Sequence, residues 1–140
     1  MVLDINGLKQ VNDLYGHTAG DVVIQAAARA VRESFAHIGT CYRIGGDEFV
    51  VLTLHASKQA LERAVARLEE CVARENHGGC PELSVACGWA VRAEPGESAG
   101  KIFARADANM YACKRRMKGE QERPDAVLRK KDGMASRSDA

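Results

Sequence analysis

The chain lacks the features that would assign it to several common classes. Its five cysteines, Cys41, Cys71, Cys80, Cys87 and Cys113, form no CxxC pair and are odd in number. Their neighbours are mostly apolar, as in Ser84-Val85-Ala86-Cys87-Gly88-Trp89. This argues against a disulfide framework and a zinc site, and for small buried hydrophobes in a reducing cytoplasm. The four histidines, His17, His37, His55 and His77, have no ligand spacing to them. Charge of one sign is also missing: the formal net charge is +1, which excludes a strong global field toward nucleic acid or an anionic membrane. Any phosphate recognition must then be local. No apolar run is long enough to span a bilayer, and no charged n-region follows Met1. The expectation is a soluble, cytoplasmic protein without internal repeats.

What is present suits one domain. The sequence has 140 residues, and 46% of them are hydrophobic, enough for a single core. Met1 to Asn6 reads as a short buried strand ending in polar residues. Gly7 to Gly20 suggests a helical turn followed by a loop. A helix then starts near Thr18, where Thr18-Ala19-Gly20-Asp21 has capping-box spacing, and Val23, Ala27, Ala30 and Val31 form its apolar stripe. Cys41–Ile44 and Phe49–Leu54 are strand-like, joined by the tight connection Gly45-Gly46-Asp47-Glu48. Ser57 opens a helix with Leu61, Val65, Leu68 and Val72 at helical spacing, ended by Gly78-Gly79. Glu82 to Arg92 alternates as a strand, and Pro95-Gly96 breaks it. A last helix runs from about Ser98 to Lys118, with Phe103, Ala106, Met110, Cys113 and Met117 inward. From residue 119 a flexible polar tail is expected, with one helical turn near Val127-Leu128. The order β-α-β-β-α-β plus a helix is the ferredoxin-like α+β arrangement, like the palm of nucleotide cyclases and polymerases. A fold of this kind does not by itself decide function.

The chemistry concentrates in a few short segments. Gly45 and Gly46 carry no side chains, so a ligand can approach the backbone there. Asp47 and Glu48 follow, and Asp4 ends the first strand. In a ferredoxin-like sheet that strand can lie beside the one after the first helix, which would bring the three carboxylates together. Hard oxygen donors with open positions for phosphate oxygens describe a Mg²⁺ (or Mn²⁺) site. The plainer alternative is an exposed polar turn. Asn12 and Asp21 bracket Gly16-His17. A carboxylate and an amide there can read the guanine edge; alternatively Asp21 is a first-turn helix cap, and Asn12 lies in an ordinary loop. Lys114 and Lys118 share a helix face, and Lys9 follows the first strand. Together they suit a triphosphate, or else form a solvated basic surface.

Read together, these segments resemble the GGDEF family. Asp4-Ile5-Asn6-Gly7-Leu8-Lys9-Gln10-Val11-Asn12-Asp13, continuing to Asp21, is similar to that family's metal-and-guanine segment. Tyr42-Arg43-Ile44-Gly45-Gly46-Asp47-Glu48-Phe49 is similar to its signature, and Ala106 to Lys114 to its final helix. The resemblance implies a diguanylate cyclase, which joins two GTP molecules into cyclic di-GMP and two pyrophosphates as a symmetric dimer. It implies metal ligands Asp4, the Ile5 carbonyl and Asp47, assisted by Glu48, with Asp47 also promoting loss of the 3′-hydroxyl proton. Gly7, Leu8 and Lys9 would wrap the phosphates beside Gly45 and Gly46. Asn12, His17 and Asp21 would line the guanine pocket, and Lys114 and Lys118 would neutralise the terminal phosphates.

Members of the family ordinarily carry a helix and turn before the first strand. Here the chain starts almost at Asp4, so the expected domain, residues 1–118, lacks that helix, and an impaired scaffold follows. Relatives often have a Gly-Arg pair where this chain has Met117-Lys118. Where many have an inhibitory Arg-x-x-Asp, it has Ala36-His37-Ile38-Gly39, so no product inhibition is expected through that site. The alternatives to the enzyme are a GTP-binding regulatory module and a nonfunctional fragment. A fused or separate sensory domain is an expected partner; nucleic acid and membrane are not.

Overall fold

The computed structural model describes residues 1–78 and 82–121, the last by its backbone only. Among these, four strands and four helices follow in the order β1 (Val2–Ile5), α1 (Leu8–Tyr15), α2 (His17–Phe35), β2 (Thr40–Arg43), β3 (Glu48–Leu52), α3 (Lys58–His77), β4 (Val85–Gly88) and α4 (Ala99–Gln121). The sheet runs β2-β3-β1-β4, and every neighbouring pair is antiparallel. This is the ferredoxin-like strand order anticipated from the sequence.

Side-chain alternation sets the two faces. Leu3 and Ile5 of β1, Phe49 and Val51 of β3, and Val85 of β4 join Val23, Ala27, Val31 and Phe35 of α2 and Leu68 of α3 in the main core. Val2 and Ala86 point the other way and pack on Ala106 and Met110 of α4. Gly88 lets α4 come close: a Cβ there would lie 2.0 Å from the Met110 backbone nitrogen. Asn76 clamps the end of α3 to the start of β4, accepting from the Leu83 N–H at 2.6 Å and donating to its carbonyl at 2.9 Å.

Several elements differ from the sequence reading. Gly7 to Gly20 holds no loop. It forms α1 and the start of α2, parted at Gly16, whose φ of 86° is open to glycine and strained for other residues. Because α2 starts at His17 with Gly16 as N-cap and no side-chain cap, the capping box at Thr18 does not form. Ser57 does cap α3, accepting from Ala60 N–H at 3.1 Å. Glu48 belongs to β3 and not to the turn, and β3 stops at Leu52. β4 covers only Val85–Gly88 of the longer run, the stretch that pairs with Val2–Ile5 of β1; Leu83 is buried in the main core without being part of the strand. Phe103 is 41% exposed, off the packed face that Ala106 and Met110 define. Helix α4 extends through Gln121, past the expected start of the tail. The turn expected near Val127-Leu128, and Cys80, lie outside the described residues. The other four cysteines are free thiols, and burial pushes Cys87 up to about 12. Among the described residues, no helix is long and apolar enough to cross a membrane.

Candidate functional site

The site grows from the C-terminal end of β1, the central strand flanked by β3 and β4. Asp4 lies opposite Glu48 on one side and Ala86 on the other. Ile5 donates its N–H to the Asp47 carbonyl at 2.8 Å, so the start of the β1–α1 loop is tied to the β2–β3 turn. The turn closes with the Ile44 N–H on the Glu48 carbonyl at 3.0 Å. Arg43 steadies it: its guanidinium donates to the Gly45 and Gly46 carbonyls at 3.1 and 3.0 Å. Gly45 and Gly46 do not have positive φ. A Cβ on Gly46 would meet nothing within 4 Å, so open space lies there, whereas one on Gly45 would come 3.5 Å from Glu48 Oε2.

Helix α4 supplies the opposite charge. Lys114 donates to Asp4 Oδ1 at 2.9 Å, with side-chain exposures of 38% and 10%. Burial raises the Asp4 pKa above the usual carboxylate range; Lys114 pulls it down, while Asp47 and Asp107 push it up. The raised value means that Lys114 alone does not offset Asp4's burial. Glu48 is also raised, first by burial and then by Asp4, Asp47 and Asp107. For Lys114, burial works downward, but the hydrogen bond and charge of Asp4 outweigh it and raise the pKa.

A cleft of about 750 Å³ opens beside this cluster. Of the residues singled out in the sequence, Ile5, Gly7, Leu8, Lys9, Asp47, Lys114 and Lys118 line it. Gly7 begins α1 in the left-handed conformation, and no side chain caps the helix's first N–H groups. Those donors face the kind of space an anion fills. Leu8 itself is buried in the core, so only its backbone can serve a ligand.

Asn12, His17 and Asp21 are not among the cleft's lining residues. The Asn12 carboxamide lies over Gly20, where its Oδ1 would be 1.8 Å from an added Cβ. A side chain at position 20 would displace the Asn12 carboxamide from this place between α1 and α2. Asp21 is exposed in the second turn of α2, which removes the first-turn cap as its explanation.

The donors fit a hard divalent cation in kind, being carboxylates and a backbone carbonyl. Asp4, Asp47 and Glu48 are neighbours through the sheet, yet among the described residues no three His, Cys, Asp or Glu side chains gather as a metal-binding group.

Three side chains went unnoticed in the sequence. Asn6 donates to Ser84 Oγ at 3.0 Å and Met117 Sδ at 3.4 Å, and its own Oδ1 is buried without a partner at the cleft wall. Its place two residues after Asp4, on the same side of the chain's alternation, was the available signal. Asp107 is seven residues before Lys114, hence on the same face of α4. Arg43 lay within the signature segment, but no local pattern revealed its grip on the turn.

Residues 1–120 match the family model described as diguanylate cyclase, GGDEF domain. Diguanylate cyclase DgcP of Pseudomonas aeruginosa is 39% identical over 119 residues, covering 81% of this chain and 17% of that protein. The cyclic di-GMP phosphodiesterase PdeR of Escherichia coli is 33% identical over 120 residues, covering 84% of this chain and 18% of that protein. The chain therefore spans less than a fifth of the length of either relative. The GGDEF domain of DgcB from Caulobacter crescentus, solved in complex with c-di-GMP, has a TM-score of 0.68 and 32% identity, covering 81% of this chain and 70% of that one.

Proposed function

The chain belongs to the GGDEF family, and from that premise we propose that it condenses two GTP molecules into cyclic di-GMP and two pyrophosphates, as a symmetric dimer with Mg²⁺ or Mn²⁺. The observation that carries this reading is the register of β1 on β3, which sets Asp4 beside Glu48 and ties Ile5 to Asp47 at the rim of the cleft. In it, Asp4, the Ile5 carbonyl, Asp47 and Glu48 hold the metal. Bound there, a divalent cation polarises the α-phosphate and offsets charge on the departing pyrophosphate.

The chain's own residues do the rest. The uncapped N–H groups at Gly7, Leu8 and Lys9 cradle phosphate oxygens, and the Lys9 and Lys118 ammonium groups add charge from the cleft walls. The open space at Gly46, and the missing side chain at Gly45, where a Cβ would touch Glu48, admit the nucleotide close to the backbone. Asp47, at the end of the turn, accepts the proton of the attacking 3′-hydroxyl. Asn12, His17 and Asp21 form the guanine-reading edge on α1 and α2, with Asn12 held by its contact on Gly20. Each domain binds one GTP, so the second nucleotide must be presented by a facing copy.

A GTP-binding regulatory module is the second reading. The relative named a phosphodiesterase favours it, because a domain of this kind there forms part of a protein named for another activity. Incubation with GTP and Mg²⁺, followed by chromatography, separates the two. Cyclic di-GMP supports the enzyme; GTP binding without turnover supports the module; neither outcome would sink both. Asp47→Ala should abolish product, and persistent turnover would remove Asp47 from its role. Asp21→Ala should erode the preference for GTP over ATP, and unchanged selectivity would return it to the surface.

A further inference from the structure

Resting on that reading of the cleft, we infer that Lys114 is a built-in counter-ion that holds the Asp4 carboxylate until a divalent cation replaces it, and then turns to the nucleotide's phosphates. The ion pair itself makes the case. Asp4 sits on the central strand with its side chain 10% exposed, and among the described residues Lys114 is its one side-chain hydrogen-bond partner. A carboxylate so placed needs a cation, because an unpaired buried charge is costly. An ammonium on Oδ1 and a divalent ion on the same carboxylate repel each other, so the two compete for one position.

Lys114 is suited to leave. Its side chain is 38% exposed, lines the cleft, and carries its charge on a flexible four-carbon stem. Lys9 and Lys118 line the same cleft but make no ion pair among the described residues. Lys114 therefore differs from them in what it must break before it meets a phosphate. The exchange couples the two ligands. Metal at Asp4 frees Lys114 for phosphate, and phosphate drawing Lys114 away frees Asp4 for metal. By linkage each must tighten the other by the same factor. The exchange also restrains metal binding when no nucleotide is present.

The test is Mn²⁺ affinity, followed by electron paramagnetic resonance on the full chain with and without a non-hydrolysable GTP analogue. Lys114→Gln should bind Mn²⁺ about tenfold more tightly than the unaltered protein without nucleotide, and should lose most of the coupling, which ordinarily lies at about 5–150-fold. Lys118→Gln removes an equal charge from the same cleft and is expected to change nucleotide-free affinity much less. Lys114→Arg keeps the ion pair and should keep the weak affinity. Equal effects at positions 114 and 118, or none at 114, would overturn the exchange and leave the cyclase reading intact. Absence of Mn²⁺ binding in every protein, even with nucleotide, would overturn the metal site and the exchange together.

Discussion

Toward α2 and α3 the sheet presents Leu3, Ile5, Phe49, Val51 and Val85, none more than 8% exposed. Toward α4 it presents Val2, Asp4, Val50, Ala86 and Gly88, and there a charged pair and a close backbone contact take the place of broad apolar packing. One residue step along β1 separates the two regimes: Leu3 and Ile5 go to the core, Asp4 to the site. The difference teaches that the α2/α3 face supplies the free energy with which the α4 face holds a carboxylate in a poorly solvated place.

The largest expected effect lies on the core face. Phe35→Ala deletes a fully buried ring and should cost about 3–5 kcal/mol in urea unfolding. A cost below 1 kcal/mol would mean that the face is not the main source of stability. On the other face, Gly88→Ala drives a methyl group against α4 backbone, 2.0 Å from Met110 N and 2.4 Å from the Ala106 carbonyl. About 1–3 kcal/mol should be lost, with metal and nucleotide affinity falling alongside. Normal ligand affinity in a destabilised Gly88→Ala protein would uncouple α4 from the site.

The pH dependence sharpens the contrast further. Asp4 and Glu48 have raised values in the folded state, so it binds more protons than the unfolded chain between the ordinary carboxylate value and the raised ones. Their contribution is favourable below that window and is lost as pH rises through it. Glu33 and Glu75 are lowered, chiefly by hydrogen bonds from Arg74 and Arg29, so their contribution is lost as pH falls. Asp4→Asn should therefore unfold at a higher midpoint than the unaltered protein at neutral pH, with the gain shrinking toward acid, while product formation stops. A variant less stable at neutral pH would show that Lys114 more than offsets the burial of Asp4. The smallest effect belongs to Glu33→Gln: its bonds to Arg67 and Arg74 lie on an exposed surface, and the urea midpoint should hardly move.

Legibility followed the range of the interactions. The alternation in β1, the stripe of Val23, Ala27, Ala30 and Val31, and the Ser57 cap are local, and local patterning revealed them. The break at Gly16 was missed because the short apolar rhythm Leu8–Val11–Leu14, in a segment rich in Gly, Asn and Asp, suggests one helical turn and a loop; Leu8 and Val11 in fact turn the face of a full helix to the core. Phe103 was misplaced inward because helical spacing tells which residues share a face but not where the packed face ends. Of the candidate site, the residue types and their segments could be read directly. The Lys114 ammonium on Asp4, and the position of Asn12 on Gly20, could not.

Sequence alone determined the strand order's ingredients, the Gly-Gly-Asp-Glu turn, and the family to which the three segments point. Tertiary structure decided which charges meet: Asp4 and Lys114 are 110 residues apart and become partners only because α4 lies across β1 and β4. No periodicity encodes that contact, since it arises from the antiparallel register of a strand and the docking angle of a distant helix.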